Sequence, residues 1–160
     1  MLLKDYIPNV SKTIGEIFFS GVSFDSSKVR KNNIFFAIKG NRFDGNKYID
    51  EAIKKGARVI ISEKKFNKIK SDILFLRCSN PRKLLSQVSY KISNNKPKQM
   101  VAVTGTNGKS SIADFYYQIL KLNSKKVASI GTLGIKSKDK KRLLTNTTSD
   151  PIQLSLILKD

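Results

Sequence analysis

Histidine is absent from the 160 residues, and cysteine occurs once, at Cys78. A lone cysteine closes no internal disulfide, and without a Cys/His cluster there is nothing to hold zinc. The lack of histidine leaves carboxylates, lysine, tyrosine or that single thiol for any acid–base chemistry within this chain. No uninterrupted apolar run approaches the ~20 residues that a membrane-spanning helix needs. The opening MLLKDYIPNV has no apolar core long enough for a secretory signal. These absences point to a soluble, cytoplasmic protein with no membrane partner, in keeping with 39% apolar residues and a mean hydropathy of −0.30. Acidic residues are also scarce, 12 against 31 Lys and Arg, which leaves a net charge of +19. Such a surplus suits nucleic acid, an anionic membrane surface or small polyanionic substrates. The lysines are scattered from Lys4 to Lys159, and the densest cluster (Lys136, Lys138, Lys140, Lys141, Arg142) reads as a loop. Solvated surface lysines therefore account for the charge, and no nucleic-acid partner is expected from it.

Short apolar runs alternate with helical periodicity. Ile34–Ile38 is a continuous apolar run of the buried-strand kind, and Val59–Ile61 and Ile73–Leu76 read as further strands. Between the first two, Ile49, Ala52 and Ile53 share one helical face, which Gly56 ends. Leu84, Leu85, Val88 and Ile92 recur at helical spacing after Pro81, a good first-turn residue. Strands alternating with helices imply an α/β fold with a largely parallel sheet. Ser93–Gln99 is polar and aperiodic and reads as a linker, dividing the chain into units of residues 1–95 and 98–160. The second unit reads as a strand over Met100–Thr104, a Gly-rich turn, and a helix with Ile112, Phe115, Tyr116, Ile119 and Leu120 on one face. A strand over Val127–Ile130 follows, then a helix capped by Asp150 with Pro151 at its first position and Gln153 at its third. About 60 residues are too few to close a doubly wound sheet. The chain is expected to be part of a longer protein.

The segment VAVTGTNGKSS lies between a strand and a helix, the setting of a phosphate-binding loop. Gly105 and Gly108 permit backbone angles closed to other residues and a close approach to a phosphate. The N–H groups at the helix start point at the anion, aided by the helix dipole. Lys109 adds a full charge for the β- and γ-phosphates, and the Ser110 hydroxyl is placed for Mg²⁺. The general loop pattern has glycine five positions before Gly108, where this chain has Val103.

The string TGTNGK followed by Ser110 and Ser111 resembles the Mur ligase family, which joins amino acids to UDP-N-acetylmuramic acid. That family displaces the first glycine in the same way and more often carries Thr-Thr after the lysine. The stretch from Val22 to Ile61 resembles the N-terminal uridine-nucleotide domain of the MurE and MurF types. Where the family reads Asp-Ser-Arg, this chain has Asp25, Ser26 and Ser27, so the arginine is missing. SIGTLG followed by TNTTSDPIQLSLIL resembles the MurE type, which adds the third residue of the stem peptide.

The resemblance implies a small α/β uridine-nucleotide domain followed by the beginning of a parallel-sheet P-loop ATPase domain. It implies ATP and Mg²⁺ as cofactors, with Gly105, Thr106, Asn107, Gly108, Lys109, Ser110 and Ser111 around the nucleotide, Lys109 catalytic and Ser110 on the metal. It assigns Phe24, Ser26, Asn41, Arg42, Phe43, Asn146, Thr147 and Thr148 to the UDP-MurNAc-dipeptide. Residues 41–43 also suit a plain surface turn before a helix, and 146–148 a polar lead-in to the capped helix. The implied reaction activates a carboxylate as an acyl phosphate, which an amine then displaces. The family's remaining magnesium ligands, modified lysine and amino-acid-selecting domain have no counterpart here. The chain alone is therefore expected to be a monomer that binds substrate without ligating it. A stand-alone basic nucleotide- or nucleic-acid-binding module, and a folate-polyglutamate or cyanophycin type of ligase, are the alternatives.

Overall fold

The computed structural model describes residues 1–40, 43–65, 72–93, 96–137, 141–142 and 149–159. The first 92 residues build a four-stranded parallel sheet from β1 (Gly21–Ser23), β2 (Asn33–Phe36), β3 (Ala57–Ser62) and β4 (Leu74–Arg77). The strands lie side by side in sequence order, with Val22 opposite Ile34, Ile34 opposite Val59, and Val59 opposite Leu74. Helical segments cover the sheet: α1 (Lys12–Gly15), α2 (Ile49–Lys54) and α3 (Pro81–Ile92).

The two-residue period of a strand explains the uninterrupted apolar run in β2. Ile34 and Phe36, with Val59 and Ile61 of β3, face one side and pack with Leu3, Phe19, Leu84, Leu85 and Val88. Phe35, Ala37 and Ile60 face the other side and pack with Val29, Ala52 and Ala57. Both faces are buried, so no position in this run can be polar without loss of core.

The ends at which the strands begin are tied together by backbone bonds. Ser20 N–H donates to Asn32 O at 3.0 Å, and Asn32 N–H donates to Gly56 O at 2.8 Å. Asn32 (φ +62°) and Gly56 (φ +100°) both occupy left-handed conformations there. At Gly56 a Cβ would also stand 2.9 Å from Lys31 Cα.

Helix α3 starts as its sequence suggests, with Pro81 in the first turn. Asn80 adds the cap, its Oδ1 accepting from Lys83 N–H at 2.9 Å. Beyond residue 96, α4 (Lys109–Leu122) follows the glycine-containing loop that ends at Gly108. A hairpin follows, from β5 (Ser129–Gly131) and β6 (Gly134–Lys136), with β7 (Lys141–Arg142) beside β6, all antiparallel. Two local expectations change. The strand expected over Met100–Thr104 has no ladder among the described residues, and Met100 and Val101 are exposed. A strand is an interstrand hydrogen-bonding arrangement, so an apolar run without a paired neighbour does not become one. The strand expected over Val127–Ile130 lies two residues later at its start, because the turn at Thr132–Leu133, with Gly134 at φ +94°, reverses the chain into the hairpin.

The last helix, α5 (Pro151–Ile157), is capped by Asp150, whose Oδ1 accepts from Gln153 N–H at 2.9 Å. It packs on α3: Ile152 joins the core around Leu85, and Ser93 Oγ donates to Ser155 O at 3.0 Å.

Candidate functional site

Two sites take shape, one on the parallel sheet and one at the start of α4. In a parallel sheet all strand ends of one kind lie along one edge, and ligands gather outside the carboxyl ends. Phe24, Asp25 and Ser26 follow β1 directly, and the turn containing Phe43 follows β2. The parallel order thus brings these two sequence-distant segments to the same edge.

The segment after β1 is held by its own polar side chains. Ser23 Oγ donates to Asp25 O at 2.7 Å and accepts from Asp25 N–H at 3.2 Å. Asp25 Oδ1 accepts from Ser27 N–H at 2.9 Å and from Ser27 Oγ at 2.7 Å. The Ser27 hydroxyl is the main cause holding the Asp25 carboxyl below the ordinary carboxylate range, helped by Lys28. Ser27 thus stabilises the turn itself. Phe24 is partly exposed, whereas Ser26 is 9% exposed and donates its hydroxyl to Glu51 Oε2 of α2 at 2.9 Å. Glu51 Oε1 accepts from Lys55 Nζ at 2.8 Å, and Lys55 first, then Ser26, hold the Glu51 carboxyl below the ordinary carboxylate range. Sequence reading missed Glu51, since 25 residues separate it from Ser26.

The turn after β2 is braced from below. Gly40 N–H donates to Phe43 O at 2.8 Å, and Gly45 N–H donates to Ile38 O at 2.9 Å. Asp44 Oδ1 accepts from Asn46 N–H at 3.0 Å and from Asn46 Nδ2 at 2.6 Å. Asn46 Oδ1 accepts in turn from the fully buried Ser62 Oγ at 2.6 Å. Phe43 is 71% exposed. Asn41 and Arg42, expected beside it, lie outside the described residues, as do Asn146, Thr147 and Thr148.

At the second site the loop Gly105–Ser111 is exposed throughout. Gly105 (φ +148°) and Gly108 (φ +75°) adopt conformations that L side chains avoid. Around Gly108 an added Cβ would meet nothing within 4 Å, so its requirement is conformational and not steric. Gly108 is the N-cap of α4, and the first intrahelical bond runs from Ile112 N–H to Gly108 O at 2.9 Å. The N–H groups of Lys109, Ser110 and Ser111 therefore have no intrahelical acceptor and face outward from the helix start. Lys109 Nζ folds back over the loop, donating to Gly105 O and, at 3.0 Å, to Thr106 O. Thr106 and Asn107 form the exposed crown of the loop.

A side chain not singled out from sequence lies one turn further along α4. Asp114 pairs with Lys136 of β6 and accepts from Gln118 Nε2 at 2.6 Å. Lys136 is the leading cause that holds the Asp114 carboxyl below its ordinary range, followed by Gln118. Lys136 was expected in a solvated loop; instead it ties the hairpin to the helix. Tyr117 OH does the same by donating to Ser137 O at 3.1 Å. A shallow depression between helix and hairpin is lined by Ser110, Asp114, Thr132, Leu133 and Lys136.

Residues 19–103 match the family model described as the Mur ligase family, catalytic domain, and residues 103–160 match the Mur ligase middle domain. A UDP-N-acetylmuramoyl-L-alanyl-D-glutamate--2,6-diaminopimelate ligase of Clostridium tetani is 37% identical over 99% of this chain and 34% of its own length. A solved ligase of the same name superposes with a TM-score of 0.79 at 25% identity, covering 99% of this chain and 33% of that one. The MurF ligase of Thermotoga maritima, solved in complex with ADP, superposes with a TM-score of 0.50 at 33% identity over 66% of this chain and 23% of that one. The chain spans about a third or less of the length of the curated relatives it matches.

Proposed function

Because the chain belongs to the Mur ligase family, we propose that it carries the uridine-nucleotide and ATP sites of a ligase that adds the third amino acid to UDP-MurNAc-L-alanyl-D-glutamate. The relatives similar over nearly its whole length are named for that step with diaminopimelate as the added residue. The observation that carries the reading is the loop at Gly105–Ser111, where a lysine and outward N–H groups converge at the start of α4. Residues 1–95 form the uridine unit and residues 98–160 the start of the ATP unit. Phe24, Ser26, Asn41, Arg42 and Phe43 contact the nucleotide end of the substrate, and Asn146, Thr147 and Thr148 its muramyl-peptide end.

In the reaction a substrate carboxylate oxygen attacks the γ-phosphorus of ATP and ADP leaves, giving an acyl phosphate. The incoming amine then attacks the acyl carbon and expels phosphate, with loss of the amine proton. Bringing a carboxylate to a triphosphate is opposed by like charge. Lys109 and the N–H groups of Lys109, Ser110 and Ser111 offset that repulsion and hold the γ-phosphate in line. Lys109 must leave the carbonyls of Gly105 and Thr106 to do so. Mg²⁺ supplies further charge neutralisation at the phosphates. Among the described residues no carboxylate cluster forms a cage for it. The exposed Ser110 hydroxyl beside Lys109 fits a metal held chiefly by phosphate oxygens. We assign no nucleic-acid partner, a monomeric state, and binding without turnover to this chain on its own.

The test is calorimetric titration of the chain with UDP-MurNAc-dipeptide, with free UDP as competitor, and separately with ATP and Mg²⁺. Saturable binding displaced by UDP and only mildly weakened by salt supports the uridine site. A folded chain that binds neither ligand overturns the proposal.

A further inference from the structure

We propose that Glu51 sets the nucleoside specificity of the uridine site by fixing Ser26 as a hydrogen-bond acceptor, so that Ser26 reads a donor on the nucleoside. This rests on the reading of the β1 edge as the uridine site. A serine hydroxyl has one proton and two lone pairs. Ser26 Oγ gives its proton to Glu51 Oε2 at 2.9 Å. An ionised carboxylate has no proton to return, so this bond runs one way only. Lys55, one turn along α2, holds the other carboxylate oxygen at 2.8 Å and keeps Glu51 charged.

The neighbouring hydroxyls are used differently. Ser23 Oγ both donates and accepts within the turn, and Ser27 Oγ donates to Asp25. Among the described residues no group donates to Ser26 Oγ, so its lone pairs stay open to a donor on the ligand. The ligand's diphosphate presents acceptors and no donors at neutral pH, which excludes it as the partner of Ser26. Uracil N3–H and the ribose hydroxyls are donors and satisfy it. Cytosine has a lone pair at N3, which would meet the lone pairs of Ser26. A buried mismatch of this kind is costly because neither group keeps its water.

The experiment compares UDP, CDP and 2′-deoxy-UDP by calorimetry on the wild-type chain, Glu51→Ala and Glu51→Gln, with thermal melts to establish folding. Glu51 is partly exposed and lies in a helix, where alanine is well tolerated. In Glu51→Ala the hydroxyl can turn and donate, so one preference, UDP over CDP or UDP over 2′-deoxy-UDP, falls about tenfold. Loss of the first ratio assigns Ser26 to the base, and loss of the second assigns it to the ribose. Glu51→Gln keeps a carbonyl acceptor and keeps the preference. Equal weakening of all three nucleotides in Glu51→Ala, unchanged ratios, or a glutamine variant as unselective as the alanine one overturns the role of Glu51. Failure of the folded wild-type chain to bind UDP defeats the uridine reading beneath it instead.

Discussion

Gly45→Ala isolates the turn that follows β2. Its φ is not in the left-handed region, so the substitution is purely a matter of space. An added Cβ would stand 2.8 Å from both Ile38 N and Ile38 O, and 3.2 Å from Ala37 C. All three are backbone atoms, which cannot rotate away as a side chain would. The peptide at Ile38 must retreat by roughly half an ångström, and overpacking of this kind costs about 1–3 kcal/mol. The retreat also strains the bond from Gly45 N–H to Ile38 O, now 2.9 Å, worth about 0.5–1.5 kcal/mol. Together the loss is about 1.5–4.5 kcal/mol, a large part of what a small domain has. In urea unfolding with a slope of about 2 kcal/mol per molar, the midpoint falls by about 1–2 M. Gly131→Ala is the control, because nothing lies within 4 Å of its added Cβ. UDP titration of the still-folded variant should show weakened binding, since Phe43 leads directly into this turn. A Gly45→Ala chain that unfolds at the wild-type urea concentration would refute the steric reasoning.

Lys109→Ala should leave the thermal melt unchanged, the side chain being exposed, while weakening ATP binding about ten- to a hundredfold; equal ATP affinity would remove the loop from the phosphate site. The Asp114 carboxyl is held below its ordinary value near 4 by Lys136. Its contribution to docking of the hairpin is therefore full above that value and is lost as pH falls through the lowered one. Amide exchange over β5 and β6 should accelerate in acid, and in Asp114→Asn it should be fast at neutral pH already. Ser155→Leu places a larger side chain in the buried contact with Ser93. It should cost about 1–3 kcal/mol and release exchange protection in α5 and the end of α3; unchanged protection would show that α5 does not depend on α3.

What the sequence discloses follows from how local each determinant is. Ile34–Ile38 and Val59–Ile61 announce strands because burial on both faces demands apolar residues at every position. Pro81 announces a helix start through its fixed φ and missing N–H, and Asp150 through the bond its carboxylate accepts from the next turn. The loop at Gly105–Ser111 is legible because its chemistry is carried by contiguous residues. Met100–Thr104 misleads for the opposite reason: apolar content does not reveal whether a neighbour exists to complete the ladder. The pairs Ser26–Glu51 and Asp114–Lys136 are set by the approach of separate elements, and nothing in the spacing of 25 or 22 residues signals them. Gly134 was the available hint of a reversal, since a glycine closing SIGTLG suits a hairpin.

The bonds linking Ser20, Asn32 and Gly56 give the sheet a reading frame. They fix where β2 begins against β1 and β3, at the edge opposite the proposed uridine site. One extra residue beside Asn32 would slide β2 by one place and exchange its faces, sending Phe35 and Ala37 where Ile34 and Phe36 belong. Insertions in the loops after β1 or β2 leave that frame intact. Length variation among related chains should therefore collect at the carboxyl ends of the strands, so the same tight seam that fixes the core lets the opposite edge diversify.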